Sequence, residues 1–143
     1  MLVAAFLITT AWAVWLGSMV FFSFVVAPTV HGSLEREQAV TAIRALFPRY
    51  YMTGIVAGAV ALTVCLTVGA DLRLTLPLAA CWIASLYARQ RILPAANEAR
   101  ERGDDDAFAR LHVFSVRLNM VVLALLLLVG TLLALRTPAA ALA

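Results

Sequence analysis

From Leu2 to Val30 the chain carries no charged residue, a run longer than the ~20 apolar residues that cross a hydrocarbon core of about 30 Å. Three more apolar stretches follow, and the pattern predicts four membrane spans at approximately 2–30, 51–69, 74–93 and 111–135. Between the first two, Leu34, Val40, Ile43, Leu46 and Phe47 share one helical face while Glu35, Arg36, Gln38, Thr41 and Arg44 lie elsewhere. That spacing predicts an interfacial amphipathic helix over 33–47, capped by Ser33 and ended by Pro48, with Glu35 and Glu37 at the positive end of its dipole. Span three is expected to continue as a solvated helix to Gly103, supported by Glu98 and Arg102 at i,i+4, and Asp104 to Asp106 supply caps for span four. Asp71 and Arg73 mark a tight turn between spans two and three. The expected fold class is all-α integral membrane: a four-transmembrane-helix bundle with an interfacial helix between spans one and two, residues 1–143 forming a single domain.

Composition agrees with the pattern. Of 143 residues 64% are apolar and 13% charged, against about 45–50% apolar in soluble domains. All 11 basic residues are Arg, and nine (Arg36, Arg44, Arg49, Arg89, Arg91, Arg100, Arg102, Arg110, Arg117) lie in or beside the first and third connections, leaving Arg73 and Arg136 opposite. Basic residues resist translocation, so the bias places those connections in the cytoplasm and both termini on the outer, periplasmic side of the inner (plasma) membrane. The net charge of +3 comes without a basic stripe interleaved with aromatics, which argues against nucleic acid. Ala11-Trp12-Ala13 mimics a signal cleavage site, but no basic segment precedes it and the apolar run continues to Pro28, so the segment is expected to be retained.

Candidate chemistry is sparse. No Asp or Glu falls within a span, which disfavours a proton-coupled exporter built on a mid-membrane carboxylate. No pair of His or Cys has metal-ligand spacing and no Ser/His/Asp set is present, so neither a metal site nor catalytic residues can be named. Cys65 and Cys81 read as buried thiols. In span four His112, Ser115, Asn119, Leu123, Leu126 and Gly130 form one stripe at 100° per residue, with Arg110, Phe114, Arg117, Val121 and Leu128 opposite. Polar side chains are costly in lipid, so the stripe should face the bundle interior, where it either bonds neighbouring helices or lines a site. Trp82, Ser85, Arg89, Arg91, Pro94 and Asn97 on span three and Arg49, Tyr50 and Tyr51 on span two lie at the same level. The expected ligand-binding set is Tyr50, Tyr51, Arg89, Arg91, Asn97, His112, Ser115 and Asn119, a pocket whose Arg would favour an anion; the competing reading makes Tyr50, Tyr51 and Arg91 interfacial anchors. His31 and His112 both lie near the cytoplasmic boundary, so a haem between two imidazoles is an alternative, with an exposed loop His31 as the simpler account. Gly54 and Gly58 form a small-xxx-small face for close helix approach, within the chain or in a homo-oligomer.

Several of these residues together resemble the transmembrane protein 205-like family, also catalogued as domain of unknown function 4149. They are Trp15-Leu16-Gly17 with Phe21, Phe22 and Pro28, then Leu46-Phe47-Pro48-Arg49-Tyr50-Tyr51, Arg89 or Arg91 with Pro94 and Asn97, and Leu111-His112 with Ser115 and Asn119. The resemblance implies a four-helix integral membrane protein, whose animal member is associated with resistance to platinum drugs and with secretory traffic; the long insertion of animal members between spans three and four is missing here. The expected function is binding or passage of a small solute in a resistance or efflux role. The alternatives are a haem- or redox-linked membrane protein and a non-catalytic accessory subunit or scaffold of a larger membrane complex.

Overall fold

The computed structural model describes residues 2–136, so the small-residue tail after Pro138 lies outside the described residues. Four long helices account for nearly all of them: α1 (Leu2–Ser33), α2 (Arg36–Thr67), α3 (72–101) and α4 (Asp105–Ala134). α1, α2 and α4 are long and apolar enough to cross a membrane; α3 carries Arg73, Arg89 and Arg91, which dilute its apolar stretch. Helices adjacent in sequence pack side by side, α1 on α2, α2 on α3 and α3 on α4, in an up-and-down arrangement.

Two turns are cut short by glycine. Gly69 (φ 62°) ends α2 and Gly103 (φ 70°) ends α3, and in each case the next amide reaches back to the last helical turn, Ala70 N–H to Cys65 C=O (2.8 Å) and Asp104 N–H to Ala99 C=O (2.9 Å). Asp104 caps α4 by accepting from Ala107 N–H, as the sequence suggests, and Asp71 in the tight turn caps α3 by accepting from Arg73 N–H. The Glu98–Arg102 pair also forms on the last turn of α3.

Corrections to the sequence reading gather at the first connection. No separate helix ends at Pro48: α2 runs unbroken from Arg36 to Thr67 with Pro48 inside it. Proline forfeits the backbone bond to Arg44 C=O, but Phe47 and Tyr50, on either side of Pro48, both pack on Phe22. Tertiary packing thus outweighs the lost bond. Ser33 does not cap α2; it ends α1, Leu34 is extended, and Glu35 stands at the N-cap without a side-chain bond. His31 lies in the last turns of α1 rather than in a loop.

Two π turns interrupt the helices, Phe22–Val26 in α1 and Ala88–Ile92 in α3. Each is followed two residues later by a proline, Pro28 and Pro94. A proline has no N–H to give and its ring crowds the carbonyl four residues back, and a wider turn relieves both constraints.

The core lies towards the end of the bundle that holds the α2–α3 turn. There Trp15, Met19, Ala61, Leu74, Leu78, Cys81, Leu126 and Val129 are buried together, and Arg136 on α4 pairs with Asp71 at 3.0 Å. Tryptophans fill the spaces that glycines leave. A Cβ on Gly54 or Gly58 would come within 2.4 Å or 2.6 Å of the Trp15 ring, and one on Gly130 within 2.3 Å of Trp12. The indole N–H groups are satisfied by helix carbonyls, Trp12 by Leu126 (2.7 Å) and Trp82 by Ile55 (2.9 Å). The small-xxx-small face of α2 is therefore used within the chain. Cys65 and Cys81 are buried free thiols.

Candidate functional site

At the opposite, Arg-rich end the helices border a cavity of about 480 Å³ beside a smaller core of Tyr51, Ala88 and Ile92. Its floor is aromatic. Phe22 from α1 stacks on Tyr50 from α2 (centroids 4.6 Å apart) and meets Phe47 at 5.1 Å, while Tyr51 lies 5.0 Å from Tyr50 and 6.1 Å from Phe47. This cluster needs Phe47, Tyr50 and Tyr51 on one face at i, i+3, i+4, which the unbroken passage of α2 through Pro48 provides.

Above the floor sits a small polar network. Tyr51 is buried, and its hydroxyl lies 3.3 Å from Ser115 Oγ and accepts from Asn119 Nδ2 at 3.4 Å. Both are long for hydrogen bonds of their kind, so the hydroxyl is held loosely. Ser115 and Asn119 lie one turn apart on α4, and the residues opposite them (Arg110, Phe114, Arg117, Val121, Leu128) are exposed.

Towards the rim the charge is basic. Arg44 on α2 donates to Asn97 Oδ1 (3.2 Å) and pairs with Glu101, joining α2 to α3. Arg100 lies 4.4 Å from the centroid of Phe108, whose ring stacks on His112. His31 borders the cavity from α1. Both π turns contribute to the wall, through Phe22 and Ser23 on α1 and Ile92 on α3, a recurrent position for such turns.

Of the residues named from sequence, Tyr50, Tyr51, Asn97, His112, Ser115 and Asn119 line this one cavity; Arg89 and Arg91 do not. Arg91 is exposed, and Arg89 has a buried Nε without a hydrogen-bond partner among the described residues. Both belong to the π turn itself, which breaks the 100° phase between them and Asn97. Sequence reasoning missed Phe22, Phe47, Arg44, Arg100 and Phe108 as lining residues. Phe47 shares helical spacing with Tyr50 and Tyr51, a signal hidden by treating Pro48 as a stop; nothing in the spacing marks Arg44 or Arg100 among so many arginines. No group of three or more His, Cys, Asp or Glu able to hold a metal occurs among the described residues.

Described residues that are helical but for short turns, with three membrane-length apolar helices and a half-buried polar and aromatic cavity, define a membrane-protein class. The chain belongs to the family described as a domain of unknown function (DUF4149), whose model matches residues 10–105. The matched stretch covers most of α1 and all of α2 and α3, so His112, Ser115 and Asn119 lie beyond it. No curated protein and no solved structure matches the chain.

Proposed function

We propose that the chain crosses the inner membrane four times and binds or passes a small solute through the cavity at its cytoplasmic end. The observation that carries this reading is the convergence of Tyr51, Ser115 and Asn119, with Tyr50, Asn97 and His112, on one cavity of about 480 Å³, within the usual range for small-molecule sites. α3 counts as the fourth span because it lies packed between α2 and α4. Its Arg91 is exposed near the basic end, where a long side chain reaches headgroups. The nine-to-two distribution of Arg supports cytoplasmic first and third connections with both termini outside. The resemblance to transmembrane protein 205-like proteins supports a resistance or efflux role.

Native mass spectrometry of gently purified protein tests the site. A bound mass that Asn119→Ala or Tyr51→Phe removes, without loss of the folded bundle, is the expected result. If the variants lower thermal stability or disturb assembly and no ligand is ever bound, the polar network serves an accessory or scaffold subunit, alone or as a homo-oligomer. A haem-linked reading has one observation in its favour: His31 and His112 border the same cavity. An absorbance spectrum of the same preparation decides it by the presence or absence of a Soret band.

A further inference from the structure

α1 and α4 meet through Trp12 on Leu126 and Gly130, but no hydrogen bond or ring contact joins them across the cavity among the described residues. The lining residues that remain exposed are His31 on α1 and His112, Val116 and Met120 on α4. On α2 and α3, by contrast, Tyr51 and Ile92 are buried. The cavity is therefore open sideways, between α1 and α4, with α2 and α3 as its back wall. His112, Val116 and Met120 follow one another at i, i+4, i+8, a line about 12 Å long parallel to the helix axis. It is an imidazole at the basic end and apolar further in.

Among the described residues, the only formal charges along this opening are arginines. Arg44, Arg100, His31 and His112 border the cavity and no carboxylate does. Arg44 already has Glu101, whereas Arg100 has no carboxylate partner among the described residues. A soluble anion alone would leave the aromatic floor and the Val116–Met120 line unused, and a cation would find no carboxylate among the lining residues to offset Arg44 and Arg100. We propose that the slit between α1 and α4 admits an anionic amphiphile from the plane of the bilayer. Its acidic head rests near Arg100, His31 and His112, and its apolar body lies along Val116 and Met120 towards Phe22. This inference rests on the membrane placement and solute-binding reading above, and adds to them the ligand class and the route of access.

Native mass spectrometry and equilibrium binding on the full chain provide the test, with palmitate, hexadecyltrimethylammonium and inorganic phosphate as probes, and with vesicles of phosphatidylglycerol or phosphatidylcholine. Palmitate should bind one to one and at least tenfold more tightly than the cation of equal chain length. Arg100→Gln should weaken palmitate about tenfold and narrow the gap between the two amphiphiles. Val116→Trp, at a lipid-facing position that tolerates bulk, should obstruct the slit and weaken palmitate while the thermal transition stays in place. Retention of phosphatidylglycerol but not phosphatidylcholine would identify a bilayer lipid as the source; palmitate binding alone would identify a free single-chain anion. Equal binding of the cationic amphiphile, or no effect of Val116→Trp, overturns the inference. Phosphate binding sensitive to Asn119→Ala, without amphiphile binding, overturns it and leaves the solute reading standing; no binding of any probe, with Asn119→Ala altering only stability, removes both.

Discussion

The two ends of the bundle solve the same packing problem in opposite ways. Near the α2–α3 turn, large indoles are set against glycines, and Trp15 and Ala61 are 3% and 0% exposed. Near the basic end the large side chains are Phe and Tyr stacked on one another, and the space between α1 and α4 stays open. In a bilayer, lipid is as apolar as the helices, so association depends on close fit and on satisfied polar groups. The glycine end supplies both. Its tight fit holds four helices together so that the other end can leave a volume unfilled and a tyrosine hydroxyl loosely bonded.

This contrast can be broken most severely at Gly58, where a new Cβ would meet both Trp15 (2.6 Å) and Trp82 (2.7 Å). Gly58→Leu should cost about 3 kcal/mol or more, because both rings are wedged between helices and cannot retreat; thermal unfolding in detergent measures it. Trp12→Phe keeps most of the ring but deletes the 2.7 Å bond to Leu126 C=O, and should cost about 1–2 kcal/mol by the same assay. At the open end the comparison sharpens, since Tyr51→Phe removes only bonds of 3.3 Å and 3.4 Å. It should change stability by less than about 1 kcal/mol while abolishing ligand retention in native mass spectrometry. Smallest of all, Glu101→Gln breaks an ion pair whose two sides are 35% and 65% exposed, and should shift stability by no more than about 0.5 kcal/mol, a change detectable in a salt titration of the melting temperature.

Much of the bundle was legible because lipid enforces a simple rule on composition: uncharged runs and one-sided arginines locate helices without any knowledge of their neighbours. The stripe on α4 was legible for the same reason, since a helix with Ser115 and Asn119 on one face and Val121 and Leu128 on the other has a single comfortable orientation. Pro48 was misleading because its cost is local and its compensation is not. The Phe22 contacts that hold both flanking turns come from another helix and leave no trace in the spacing of α2. Arg89 and Arg91 were placed by a regular 3.6-residue count that a π turn interrupts. Periodicity cannot report an irregularity that the chain absorbs without changing its residue types.

The π turns have a consequence for how such a chain can vary. Each holds about one residue more than an α-helical turn, so a residue beyond it sits roughly 100° from where an unbroken count would place it. Deleting a single residue is ordinarily among the harshest changes a helix can suffer, yet within Phe22–Val26 or Ala88–Ile92 it would restore regular winding. Loss of one residue in the first turn would leave His31 facing as it does now, and in the second, Asn97 and Arg100, because the wide turn has already absorbed the extra residue. The chain thus has two places where its length can change by one while the cavity wall beyond and the scaffold before stay in register.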